Sequence, residues 1–272
     1  MNISNSWLNG SDDPEKAKKI VEFLEERSQY PDQIEVNYVL RDVLNPKKGE
    51  HLLEIGSGSG VLSRLMANDL SPGGHITGVD ISPEIVKYSQ DYARKENLIN
   101  LITFEVANAN KLAYPNGFFD AAFAARLLLY LTNPLDVIIE IIRVVKSGGR
   151  IVLMEWDFET LVVDHSDREL TRRIFHWRND HKDGNNWSGR QLFRLLKVAG
   201  LKEVTIFPVV SKATDESSSL TQSLWHAASG ALEQGIITTK EYDSWISEIK
   251  LNIKNQQYFA SIVYFIARGL VK

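Results

Sequence analysis

Hydrophobic positions recur along the chain with two different periods. Ala17, Ile20, Val21 and Leu24 fall three and four residues apart, the stripe of an amphipathic helix; Asp13 stands where a cap is needed and Pro14 suits the first turn. Pro31 interrupts. Val36, Val39, Leu40 and Val43 then mark a second helix, ended by the Pro46-Lys47-Lys48-Gly49 stretch. From His51 onward the texture changes to short apolar runs at 52–55, 76–79, 101–106, 121–125 and 150–154. Helical patterns separate them: one opens at Ser82-Pro83-Glu84, another at Asn133-Pro134 and stops at Ser147-Gly148-Gly149. Strands alternating with helices predict right-handed βαβ units and a parallel sheet covered on both faces.

After Trp156 the alternation pauses. Ser166 and Glu169 have the spacing of a capping box, followed by Leu170, Ile174 and Trp177 on one helical face. Ser188 is placed to cap a helix carrying Leu192, Leu195, Leu196 and Ala199. Residues 204–210 read as a strand, 215–254 as two helices broken at Gly235, and 258–267 as a final strand. The stretches 14–45, 157–186 and 215–254 have no place in a simple alternation. They are expected to form caps over the carboxyl edge of the sheet: an N-terminal helical cap over 1–45, then a main domain over 46–272 with cap insertions at about 157–186 and 215–254.

Composition narrows the function classes. The 272 residues are 43% hydrophobic and 24% charged, ordinary for a folded domain. A net charge of −4 argues against a nucleic-acid partner. The absence of cysteine excludes disulfides, thiolate metal sites and a cysteine nucleophile. No stretch reaches the ~20 apolar residues of a membrane span, and the N-terminus lacks a secretory pattern. A cytoplasmic protein is expected, monomer or homodimer, with no metal site: His176 and His181 miss the i, i+4 spacing of a helical metal pair.

The sharpest chemical signal is Glu54-Ile55-Gly56-Ser57-Gly58-Ser59-Gly60, directly after a strand and before a helix. Glycines there allow close backbone approach to a ligand, and a helix start offers free N–H groups. Asp80 closes the next strand roughly 20 residues on, where a carboxylate accepts from a ribose diol. The dinucleotide pattern needs a glycine where Val61 stands, which disfavours a nicotinamide oxidoreductase, and no Lys-Ser or Lys-Thr follows to make a Walker loop.

The order of later segments extends the pattern: Asn108-Ala109, Leu112, Phe119-Asp120, Arg126-Leu127-Leu128, Asn133-Pro134, the Val144-Val145-Lys146-Ser147-Gly148-Gly149-Arg150 run and Leu153. The chain resembles a class I S-adenosylmethionine-dependent methyltransferase of the kind related to ubiquinone/menaquinone C-methyltransferases, well over 44–157 and partly over 189–210 and the last strand. The resemblance implies an α/β Rossmann-like, doubly wound, seven-stranded, mostly parallel sheet with the last strand antiparallel and helical cap insertions. It implies S-adenosyl-L-methionine as cofactor and a small-molecule methyl acceptor, quinone-like, aromatic or another metabolite. It also implies roles: Gly56, Ser57, Gly58 and Gly60 under the methionine and sugar, Glu54 holding the loop and the amino-acid end, Asp80 on the ribose, Ile81 against adenine, Asn108 accepting from the adenine amino group, Ala109 flanking the ring, and Arg126 near the carboxylate end or the reacting centre. One departure stands out, since Ala107-Asn108-Ala109 replaces the common Gly-Asp-Ala; it keeps open an inactive, cofactor-binding relative as the alternative.

No catalytic base is identified. Tyr30, Tyr130, Trp156 and His176 are candidates to contact the acceptor. The aromatics Trp156, Phe175, Trp177, Trp187 and Trp225 read as cap packing, and Arg168, Arg172, Arg173, Arg178 and Lys182, interleaved with acids, as a solvated charged face.

Overall fold

A computed structural model describes residues 13–181 and 184–272. Two helices, α1 (Pro14–Ser28) and α2 (Pro31–Leu44), precede the first strand. Asp13 caps α1 by accepting from the backbone N–H groups of Glu15 and Lys16. The sheet then alternates with helices: β1 (His51–Ile55), α3 (Val61–Met66), β2 (His75–Asp80), α4 (Pro83–Lys95), β3 (Ile102–Val106), β4 (Phe119–Ala125), α5 (Pro134–Val144) and β5 (Val145–Val163). It closes through α6 (Arg168–His181), α7 (Ser188–Val198), β6 (Lys202–Ala213), α8 (Ser219–Glu233), α9 (Thr239–Lys254) and β7 (Ala260–Leu270). Strand order is β3-β2-β1-β4-β5-β7-β6, with β7 antiparallel to both its neighbours and the other pairs parallel. The seven-stranded, mostly parallel, doubly wound sheet is therefore present as expected.

Pleating assigns alternate residues to two cores. Leu52, Val152 and Met154 point into a large cluster under α2, α3, α6, α8 and α9. Leu53, Ile151 and Leu153 point the other way, onto α5 and α7. Burial on both faces explains why these strands read as unbroken apolar runs.

Several local readings change. Residues 157–163, expected in a cap, continue β5 alongside β7 after a register shift between Asp157 and Val162. Their polar residues are satisfied internally: Asp157, fully buried, pairs with Arg190, and Thr160 Oγ1 accepts from Val263 N at 2.8 Å. Ser166 does not cap α6; its N–H and hydroxyl go to Glu248, and Asp167 accepts from Leu170 N instead. Ser188 likewise turns away from its own helix, donating to Glu155. A capping box does occur at Thr238 and Glu241, opening α9. Arg178 is 3% exposed, not part of a solvated face. Trp156, Phe175, Trp177 and Trp225 pack against the larger core, and Trp187 stands exposed.

Specific contacts fix the helices added to the alternation. Asp32, buried near the start of α2, accepts from Ser219 N and Oγ at 3.0 and 2.6 Å and from Ser211 Oγ at 3.3 Å. Trp245 of α9 is fully buried and donates to Thr171 Oγ1 of α6 at 3.0 Å. Trp245→Ala should cost about 3–5 kcal/mol through the void and the lost bond, read as a lowered midpoint in urea unfolding; a change below about 1 kcal/mol would show that α9 is not anchored there.

Candidate functional site

A cleft of about 250 Å³ opens at the carboxyl ends of β1, β2 and β4. Strand order reverses between β1 and β4, the place where open α/β sheets leave a crevice for ligands. Its floor is the glycine loop and its roof is made by Ile20, Leu24 and Arg27 of α1 with Gln33 and Asn37 of α2.

The loop is shaped by its own hydrogen bonds. Gly56 and Ser57 N–H both donate to Val79 O, at 2.8 and 2.9 Å. Gly58 N donates to Asp80 Oδ2 at 2.9 Å, and Gly60 N to Ser57 O at 2.9 Å. These amides are spent on the fold, so the expected supply of free N–H groups is absent at these positions. The loop offers shape and close approach, not a phosphate cradle. Gly60 has φ +79° and a Cβ there would stand 2.3 Å from the Phe104 ring. It faces β3 beneath the loop and does not line the cleft, in contrast to its expected place under the ligand.

Arg64 holds the loop from behind. Its guanidinium donates to Ser59 O at 2.6 Å, pairs with Glu25 of α1 at 2.7 Å and Glu96 after α4 at 2.8 Å, and lies 4.9 Å from the Tyr92 ring centroid. Its basic character in a short helix gave no hint of this from the sequence. Gln33 and Asn37, four apart beside the apolar stripe of α2, did carry a readable signal: both are buried, and Gln33 Oε1 and Asn37 Oδ1 lack a partner.

Of the expected cofactor residues, Glu54, Gly56, Ser57, Gly58, Asp80, Ile81, Asn108, Ala109 and Arg126 line this one cleft. Asp80 also accepts from Ser82 N at 3.1 Å, and burial raises its carboxyl above the usual value. Ile81 is 46% exposed at the rim, an apolar surface suited to a flat ring. Asn108 Oδ1 already accepts from Asn110 N and Nδ2, at 2.9 and 3.1 Å, so its oxygen serves a local turn where an open acceptor was expected. Arg126 has φ +57°, rare for a side chain this large, and its N–H is tied to Met154 O. Burial lowers its guanidinium from the usual value, against the pull of Tyr264, Glu155 and Glu54. Glu54 is buried, accepts from Ser63 Oγ, and burial pushes it up to about 8.

Among the acceptor candidates, Tyr130 lines the cleft. Trp156 lies outside its lining, packed on Phe158 and Tyr264 with Nε1 unpartnered. Tyr30 and His176 are not brought to the cleft: Tyr30, at the N-cap of α2, donates to Glu26 of α1, and His176 is exposed on α6. Among the described residues no histidine lines the cleft.

A family model described as a methyltransferase domain matches residues 46–200, more than half of the chain. An uncharacterized 37.1 kDa protein in transposon TN4556 of Streptomyces fradiae is 28% identical over 84% of this chain and 64% of its own length. The ubiquinone/menaquinone biosynthesis C-methyltransferase of Stutzerimonas stutzeri is 30% identical over 42% of this chain and 44% of its own. Both matches span less than two thirds of the relative. Geranyl diphosphate C-methyltransferase from Streptomyces coelicolor A3(2), solved with S-adenosyl-L-homocysteine, superposes with a TM-score of 0.56 at 17% identity, covering 88% of this chain and 76% of that one, a likeness of fold.

The residues present fit an adenosyl ligand: the Ser57 and Ser59 hydroxyls are buried without partners beside the loop, and Asp80 keeps a carboxylate at the cleft wall. Asp80→Ala should weaken S-adenosylhomocysteine about ten- to a hundredfold, and Asp80→Asn, which keeps an acceptor for Gly58 N, by less; equal affinities by calorimetry would remove Asp80 from the ribose. If Glu54 receives the ligand's ammonium, binding favours its ionised form, and the proton held below about pH 8 must leave. Affinity should then rise between pH 6 and 8 by up to about tenfold per unit and level off above. Glu54→Gln should flatten that profile; an unchanged slope would place the ammonium elsewhere.

Proposed function

Because the chain belongs to the methyltransferase domain family and carries the class I, S-adenosylmethionine-dependent fold, we propose that it moves a methyl group from S-adenosylmethionine directly to a small organic acceptor, quinone-like, aromatic or another metabolite. The observation that supports this most is the single cleft in which the glycine loop, Asp80 and Arg126 face the roof of α1 and α2. The cofactor, when bound, supplies an activated methyl group, so the protein's work is alignment and exclusion of water.

The chain's own residues divide that work. Asp80 would hold the ribose, with Ile81 and Ala109 against the adenine. Glu54 and Arg126 present opposite charges to an ammonium and a carboxylate. Leu24, Leu127 and Leu131 wall the cleft with apolar surface, which favours a reaction that disperses charge. Tyr130 stands on the lining as the titratable side chain nearest in kind to an acceptor contact. With no described histidine on that lining, an acceptor whose nucleophile needs no strong base suits the site best.

Calorimetry with S-adenosylhomocysteine should show saturable binding, and mass spectrometry of a metabolite panel incubated with protein and S-adenosylmethionine should show a product heavier by one methylene unit. No binding at the highest soluble ligand concentration would end this reading.

A further inference from the structure

Two side chains on the cleft lining have no use in the fold for one of their polar atoms. Gln33 and Asn37 stand one turn apart on the same face of α2, and both line the cleft. They are 1% and 4% exposed, and neither Gln33 Oε1 nor Asn37 Oδ1 has a hydrogen-bond partner. The roof beside them is apolar at Ile20 and Leu24. A buried acceptor left unmet destabilises a fold, so two on one cleft wall call for an explanation outside the fold.

The surroundings of Gln33 decide which end of its amide is left over. Nε2 spends both N–H groups inside the protein, donating to the Tyr264 hydroxyl at 2.9 Å and to Asp32 Oδ2 at 3.2 Å. Asp32 also accepts from Ser211 and Ser219, so it meets the amide only as an acceptor and holds the NH2 end toward itself. The carbonyl oxygen is thereby fixed as the open end. Tyr264 belongs to β7, four strands along the sheet from β2 and its terminal Asp80. At the usual strand spacing that is about 19 Å. Gln33 is thus moored on the side of the cleft away from Asp80. In the methyl-transfer reading Asp80 takes the ribose, and Glu54 and Arg126 take the amino-acid end, which leaves the α2 pair to the acceptor.

We propose that Gln33 and Asn37 are specificity residues: the methyl acceptor carries a neutral hydrogen-bond donor, an alcohol, phenol or amine, whose O–H or N–H is received by Gln33 Oε1 and Asn37 Oδ1. This deepens the methyl-transfer reading and rests on it. A molecule of similar shape without the donor leaves both oxygens unmet and is rejected for that reason.

The test is calorimetry on the full chain saturated with S-adenosylhomocysteine, titrated with phenol, aniline and anisole. Phenol or aniline should bind, and anisole, which has no donor, about tenfold more weakly or not at all. Asn37→Leu removes an oxygen that the fold does not use. It should abolish the preference over anisole, leave S-adenosylhomocysteine affinity as it was, and melt no lower than the wild type. Gln33→Met should also lose the preference, but it gives up the bonds to Tyr264 and Asp32 and should melt lower. The proposal is overturned if neither phenol nor aniline binds, if anisole binds as well as they do, or if Asn37→Leu keeps the preference. It is equally overturned if Asn37→Leu lowers the melting temperature or weakens S-adenosylhomocysteine, since the oxygen would then serve the fold or the cofactor. Wild-type protein that fails to bind S-adenosylhomocysteine, yet still prefers phenol or aniline through Asn37, would instead sink methyl transfer and leave the donor-reading pair standing.

Discussion

The junction between the glycine loop and the tip of β2 carries the rest of the site. Val79 O receives two loop amides and the Asp80 carboxylate receives a third. These bonds close the turn against the neighbouring strand and at the same time aim Asp80 into the cleft. Phe104 beneath Gly60 leaves no room for a side chain at that turn, and Arg64 stitches the loop to α1 and to the end of α4. The residues that line the cleft at this junction are thus oriented by bonds within the sheet and its turns.

Charge is distributed unevenly around that frame. The cofactor side holds two buried acids, Glu54 and Asp80, whose burial raises both carboxyls. Toward α6 and β7 the balance turns positive, through Arg126, Arg27 and Arg178 around two tyrosines.

Much of this was legible in the residues. Apolar runs alternating with amphipathic stripes gave the sheet, because strands buried on both faces carry no polar interruption. The loop and Asp80 were legible because glycine and a spaced acid have few other uses at a strand-to-helix turn. Residues 157–163 were not legible as strand: Asp157, Glu159 and Thr160 look like loop residues until Arg190 and Val263 are seen to satisfy two of them. Arg178 was hidden for a related reason. Its neighbours along the chain are charged and wet, whereas its neighbours in space come from β5 and β7. Caps at Ser166 and Ser188 failed because a distant acid outcompeted the local amide in each case.

The first helix belongs to neither main core. Ala17 and Val21 form a small cluster with Ile85, flanked by Ile20, Tyr88 and Tyr92 and separate from the two large hydrophobic groups around the sheet. Yet the same helix contributes Leu24 and Arg27 to the ceiling of the cleft. Tilting it away would uncover three buried side chains and break the Glu25 pairing, with the sheet and its two cores undisturbed. Turnover requires spent cofactor to leave a deep crevice, and this division of packing gives that exit a local cost in place of a global one.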